Sequence, residues 1–142
     1  MIKTELCAYS VEACQIAAKL GVNRVELCAS PAEGGVTPSV ATIERVAEIK
    51  GLDLSVMIRP RGGDFLYSDD EFKTMLKDID HARKAGATGV VFGVLTADGK
   101  VDVERTRALV EESKGMETTF HRAVDMTEDY EADVEAIIEA GC

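Results

Sequence analysis

The stretch Glu5-Leu-Cys-Ala8 recurs as Glu26-Leu-Cys-Ala29, twenty-one positions further along the chain. Such a repeat is typical of two adjacent strands in the wall of a (β/α)-barrel. No G-x-G-x-x-G motif follows the first copy, so the usual dinucleotide-binding signature of an open doubly wound sheet is absent. Both observations favour the barrel over the open sheet.

Outward from this repeat, short apolar runs alternate with longer segments whose apolar residues recur every three or four positions. Strands that alternate with helices over short links pair in parallel. The sequence therefore predicts an α/β fold of the TIM-barrel family, with residues 1–142 forming one partial domain of five β/α units. The five runs predicted as strands are Thr4–Cys7, Arg24–Cys28, Leu54–Arg59, Gly89–Gly93 and Thr118–His121.

Side-chain chemistry indicates where the helices begin. Ser68 and Glu71 form a capping box ahead of the third helix, and Thr37-Pro38 supplies an N-cap and a first-turn proline for the second. Thr127 is predicted to cap the last helix. We expect the inner face of that helix to carry Tyr130, Val134, Ile137 and Ile138.

Glycines mark the predicted helix ends. A new strand begins within about four residues of Gly21 and of Gly86, whereas Gly141 is followed by Cys142. We therefore expect a barrel that is truncated at its carboxyl end. Its first and fifth strands would have unpaired edges, which predicts a homo-oligomer.

The composition excludes several classes of protein. The 142 residues include 26 acidic and 16 basic side chains, for a formal net charge of -10. This sign opposes binding to nucleic acid and to anionic membranes. There is no secretory signal and no run approaching the ~18 apolar residues that span a bilayer. We expect a soluble cytoplasmic protein whose four cysteines, none in a C-x-x-C pair, stay reduced.

Polar side chains follow the predicted strands at their carboxyl ends, where both candidate folds bind ligands. Glu26 lies two residues before the end of the second strand, Arg59 ends the third and His121 the fifth. An imidazole near a carboxylate suits general acid–base catalysis, and the Arg59 guanidinium suits an anionic substrate. The alternative interpretation is a Glu–Arg–His network that satisfies its own charges.

The loop Arg61-Gly-Gly-Asp-Phe-Leu-Tyr67 is a second candidate for anion binding. Arg61 and the consecutive amides of Gly62 and Gly63 could hold an anion, with Arg122 beside them at the end of the fifth strand. The same loop could instead close over the site as a lid, or form only a tight turn.

Five longer blocks of the sequence stand out: Arg24-Val-Glu-Leu-Cys28, Glu33-Gly-Gly-Val-Thr-Pro38, Val56-Met-Ile-Arg-Pro-Arg-Gly-Gly-Asp-Phe65, Gly89-Val-Val-Phe-Gly-Val-Leu-Thr96 and Thr119-Phe-His-Arg-Ala123. In this order they resemble the signature blocks of the CutC family, the so-called copper homeostasis proteins. The resemblance implies a (β/α)-barrel of which about the last three of eight units are absent here. It also implies cytoplasmic handling of copper.

Two functions therefore compete. In the first, the protein binds copper as Cu(I) at Cys7 and Cys28, because this ion prefers sulfur ligands and the two residues end neighbouring strands. The alternative interpretation is that both cysteines only pack in the core. In the second, it is a barrel enzyme acting on a small anionic substrate, with Glu26 and His121 in acid–base roles and Arg59 and Arg61 holding the anion.

Overall fold

Strands and helices alternate along the whole of the computed structural model, which describes residues 2–142. Two short 3₁₀ helices, Pro31–Glu33 and Arg122–Met126, follow the second and fifth strands. The main elements are β1 (Glu5–Ala8), α1 (Val11–Lys19), β2 (Arg24–Leu27), α2 (Val40–Ala47), β3 (Asp53–Met57), α3 (Asp69–Lys84), β4 (Gly89–Phe92), α4 (Val103–Glu112), β5 (Glu117–Phe120) and α5 (Tyr130–Glu139).

The five strands form one parallel sheet in the order β1-β2-β3-β4-β5. Each strand pairs with the next in sequence, which is the order of strands in the wall of a (β/α)-barrel. The α/β fold with five β/α units is therefore confirmed, and the predicted strands overlap the observed ones to within two residues at either end. No helix within residues 2–142 is long and apolar enough to cross a membrane.

The two faces of the sheet have different environments because successive side chains of a strand point to opposite faces. Alternate residues such as Leu27, Val56 and Phe92 are buried against helix residues that include Ile43 and Met75. We call the other face, which carries Cys7, Glu26, Met57, Val91 and Thr119, the open face.

Burial falls from the middle of the sheet to its edges. Every residue of β4 is buried, whereas Glu5, Leu6 and Cys7 of β1 and alternate residues of β5 are exposed. Within residues 2–142, β1 pairs only with β2 and β5 only with β4, so both have the unpaired edges that the sequence predicts.

A charged group on the open face links the two edge strands. Arg24 of β2 forms ion pairs with Glu5 of β1 and with Glu117 of β5. Because β2 and β5 are separated by two strands, one side chain can reach both partners only if the sheet curls around this face.

The capping box is confirmed, but two other helix starts were predicted two residues early. Ser68 accepts a hydrogen bond from the Glu71 amide, and the Glu71 side chain accepts one from the Ser68 amide. The α2 helix begins after Ser39 and not after Thr37, because the Thr37 hydroxyl instead binds the backbone of Arg59. The last helix is capped by Asp129 and not by Thr127, whose hydroxyl donates to the Val124 carbonyl.

The inner face of α5 also differs from the prediction. Ile137 is buried, but Tyr130 and Ile138 are exposed. The helix packs mainly against α4 and the second 3₁₀ helix, which is too narrow a contact to cover all four predicted side chains.

Candidate metal centre and adjoining cavity

The Glu-Leu-Cys-Ala sequence, which forms β1 and recurs from Glu26 of β2 onward, brings two sulfurs and a carboxylate together on the open face. Cys7 of β1 lies opposite Glu26 of β2 in the strand register, and Cys28 follows Glu26 by two residues and so shares its face. The Cys7 and Cys28 Sγ atoms are 3.9 Å apart, and Cys28 Sγ donates to Glu26 Oε1 over 3.6 Å. One ligand atom from each of the three lies within 4.8 Å of the others. We call this group the Cys-Glu-Cys cluster.

The surroundings of the cluster disfavour negative charge on its own groups. Burial raises the pKa of the Cys28 thiol, and the charges of Cys7 and Glu26 raise it further. Burial also raises the pKa of Glu26, although the hydrogen bond from Cys28 opposes this shift. Hydrogen bonding to Cys7 raises the pKa of Tyr9 to about 12. A bound cation would reverse this balance, because it would favour the thiolate and carboxylate forms.

The donor set fits Cu(I). Thiolate sulfur is the ligand type that selects this ion. The Cys7 and Cys28 sulfurs, 3.9 Å apart, would hold the ion, and the Glu26 carboxylate beside them would be the third ligand, through an oxygen.

A cavity of about 860 Å³ opens beside the cluster, at the carboxyl ends of the strands. It joins the open face to the loops after β2, β3, β4 and β5, and it contains both polar and apolar groups. Glu26 belongs to the cavity wall as well as to the Cys-Glu-Cys cluster. The other residues that line the cavity include Met57, Arg59, Gly63, Phe65, Leu95, Thr119, His121 and Arg122.

Arg59 lies in this wall, but its terminal nitrogens are already engaged. Nη1 donates to the carbonyls of Glu33 and Gly35 at 2.7 and 3.0 Å, and Nη2 donates to the Gly63 carbonyl at 2.8 Å. The guanidinium also lies 4.9 Å from the ring centroid of Phe65. Arg59 therefore ties two loops together, and only its Nε has no partner within residues 2–142.

The structure does not bring Arg61 and Gly62 into the cavity wall. Arg61 Nε donates to the Glu71 carboxylate at 2.6 Å, and Nη2 pairs with Asp64 at 3.1 Å. Gly62 lies against the Glu33 side chain, with no room between them for a Cβ atom. Of the four residues predicted to bind an anion, Gly63 and Arg122 line the cavity and Arg61 and Gly62 do not.

His121 is held in one orientation at the end of β5. Its Nδ1 accepts a hydrogen bond of 3.2 Å from the Ala123 amide, and its ring packs on Gly93 and 5.0 Å from the Phe65 ring. Burial, with the positive charge of Arg59 next, lowers the pKa of His121 to about 4. The imidazole is therefore neutral near pH 7, and its Nε2 carries the proton because Nδ1 accepts the Ala123 amide.

Two contributors to this region were not singled out from the sequence. Tyr9, the residue after β1, touches the cluster through Cys7. Phe65 covers both Arg59 and His121. The position of Tyr9 one residue beyond a strand is a signal that could have identified it, whereas the fold of the loop carrying Phe65 follows from contacts distant in sequence.

Known proteins share both the sequence and the fold. The sequence model of the CutC family matches residues 2–142. A CutC family protein of Bacteroides fragilis is 54% identical over 139 residues, covering 97% of this chain and 55% of that protein. One from Vibrio vulnificus is 48% identical over 142 residues, covering 99% of this chain and 57% of that protein. The chain thus spans little more than half the length of these relatives.

Solved structures agree with this relationship. A Streptococcus agalactiae protein, described by name as a copper homeostasis protein CutC, superposes with a TM-score of 0.92 at 34% identity, over 99% of this chain and 70% of its own. A 2,3-dimethylmalate lyase superposes with a TM-score of 0.65 at 14% identity, which shows a shared fold alone. The match of the family sequence model over almost the whole chain, together with this close superposition, shows that the chain belongs to the CutC family.

Proposed function

We propose that this chain takes part in copper homeostasis by binding Cu(I) at the Cys-Glu-Cys cluster. The observation that carries the proposal is the 3.9 Å approach of the Cys7 and Cys28 sulfurs, with the Glu26 carboxylate beside them. The name of the Streptococcus agalactiae relative supports the same role. We further propose that the protein acts in the cytoplasm, where its thiols stay reduced.

The two cysteines have different tasks in this proposal. Cys7 is exposed and gives the ion its first contact, whereas Cys28 is buried and holds it. Gly35 leaves room for Cys28, since a Cβ at this position would lie 3.2 Å from the Cys28 sulfur. When bound, the ion supplies the positive charge that lets the Cys28 thiol lose its proton to solvent.

Anaerobic titration with Cu(I) against a competing chromophoric chelator tests the proposal. We expect one ion per chain in the wild type and a loss of affinity of about a hundredfold or more in a Cys7→Ser/Cys28→Ser variant, because both soft ligands are removed. A Cys14→Ala/Cys142→Ser variant is the matched control and should bind as the wild type does. Unchanged stoichiometry and affinity in the Cys7→Ser/Cys28→Ser variant would overturn the proposal.

The second candidate is an enzyme that acts on a small anionic substrate. It is favoured by the presence of Glu26 and His121 in one cavity. The raised pKa of Glu26 and the low pKa of His121 would make Glu26 the acid–base group and His121 a neutral donor. This candidate predicts that Glu26→Gln abolishes the function while Cys7→Ser leaves it intact, whereas the copper proposal predicts that both changes impair it.

A further inference from the structure

We propose that the cavity is a binding site for a small oxyanion, a carboxylate or a phosphate, that accepts hydrogen bonds from His121 and Arg59 and pairs with Arg122. Binding of this ligand does not depend on copper. Its basis is two buried nitrogen atoms that have no hydrogen-bond acceptor within residues 2–142.

Two buried donors in the cavity wall have no acceptor within residues 2–142: His121 Nε2 and Arg59 Nε. Buried N–H groups are almost always hydrogen-bonded, so such exceptions need an explanation. Both atoms can only donate, since His121 Nδ1 already accepts the Ala123 amide proton and a guanidinium has no acceptor. The missing partner must therefore supply acceptor atoms.

One positive group of the wall is free to pair with such an acceptor. Arg122 has no ion-pair partner in the described part of the chain. The wall also contains acids: Asp64 pairs with Arg61, whereas Glu26 and Glu33 have no ion-pair partner among residues 2–142. Because Arg122 is the neighbour of His121 in sequence, it stands beside the His121 donor, and an acceptor that binds there as an anion can pair with it.

The apolar side chains of the wall indicate that the rest of the ligand, beyond its oxyanion group, is apolar. Met57, Phe65 and Leu95 line the same space, so the carbon skeleton of a small organic acid or phosphate ester has surfaces to pack on. Phe65, in the loop that contains Gly62 and Gly63, lies with its ring centroid 4.9 Å from the Arg59 guanidinium carbon and 5.0 Å from the His121 ring centroid, so it packs beside both donor groups.

Calorimetric titration of the copper-free chain tests the proposal, in a buffer that contains no carboxylate or phosphate. Malonate, succinate and inorganic phosphate are titrated in separate experiments, which distinguishes the two oxyanion chemistries. We expect saturable 1:1 binding of at least one probe. His121→Leu should weaken that binding by about tenfold or more, because it removes a donor to a charged acceptor.

Three further variants separate binding from folding. His121→Gln retains an N–H donor and should recover part of the affinity, and Arg122→Gln should weaken binding and reduce its salt dependence. Arg45→Gln, on the exposed surface of α2, is the matched control and should bind as the wild type does. Circular dichroism establishes that each variant keeps its fold. Absence of saturable binding for all three probes, or binding unaffected by His121→Leu and Arg122→Gln, would overturn the proposal.

Discussion

At the scale of single residues, the arginines and the histidine of the cavity show how far contact changes chemistry. Arg59 and Arg61 carry the same side chain two positions apart, yet one lies in the cavity wall and the other pairs with Glu71 at the start of α3. His121 has lost the pKa near neutrality that makes a free histidine a general base. Residue type alone therefore predicts which chemical groups the chain carries, but not which of them are free to bind a ligand or to transfer a proton.

The low pKa of His121 has a consequence for stability that can be measured. The folded pKa is about 4, below the unfolded value of 6.5, so the unfolded chain binds more protons between these two values. Stability is then fully present above pH 6.5 and is lost as the pH falls toward 4. Arg59 and Arg122 oppose protonation from the neighbouring loops, and Glu26 and Asp64 are the acids in the same wall.

The free energy of unfolding, measured with urea, should therefore fall less between pH 7 and pH 4.5 in His121→Gln than in the wild type. The difference should be on the order of 2 to 3 kcal/mol, since each pKa unit corresponds to about 1.4 kcal/mol. Carboxylates that titrate in both proteins cancel in this comparison. Equal losses in the wild type and in His121→Gln would contradict the assigned pKa.

At the scale of elements, the strands and the approach of Cys7 to Cys28 were predictable, whereas the place of Glu26 as a third member of the cluster and the loops were not. Continuous apolar runs mark strands that are covered on both faces, and parallel register then places Cys7 next to Cys28. The starting point of α2 could not be read in the same way. Thr37 and Ser39 are both good N-caps, and the choice depends on Arg59, which lies 22 residues away in sequence.

The contact between β4 and the end of β5 provides a prediction at this scale. A Cβ at Gly93 would lie 2.4 Å from Cε1 and 2.5 Å from Nδ1 of the rigid His121 ring. Gly93→Ala should therefore displace the imidazole and destabilise the protein by about 1 to 3 kcal/mol. The measurement is the free energy of unfolding in a double-mutant cycle with His121→Ala, in which most of the cost should disappear. A cost that stays the same in the His121→Ala background would show that another contact is responsible.

At the scale of the whole molecule, β1 and β5 each pair with one neighbour within residues 2–142, and we predict that a protein consisting of these residues self-associates through the two edges. Backbone groups at an open edge pair readily with another strand, and Leu6 of β1 is 44% exposed there. Sedimentation velocity should show dimers or larger species that become fewer in a Leu6→Lys variant. Ile138→Lys, at an exposed apolar residue of α5, is the matched control and should not reduce association. A stable wild-type monomer at all accessible concentrations would contradict the prediction.

The ion pairs of Arg24 connect the two edge strands, and their strength depends on salt. Arg24 links β1 to β5 across the open face through Glu5 and Glu117, and its side chain is 30% exposed to solvent. Charge pairs at such exposure weaken as ionic strength rises. Each pair contributes about 1 kcal/mol or less, so the curvature of the sheet is maintained by strand pairing and core packing, and salt removes only the small contribution of the Arg24 pairs.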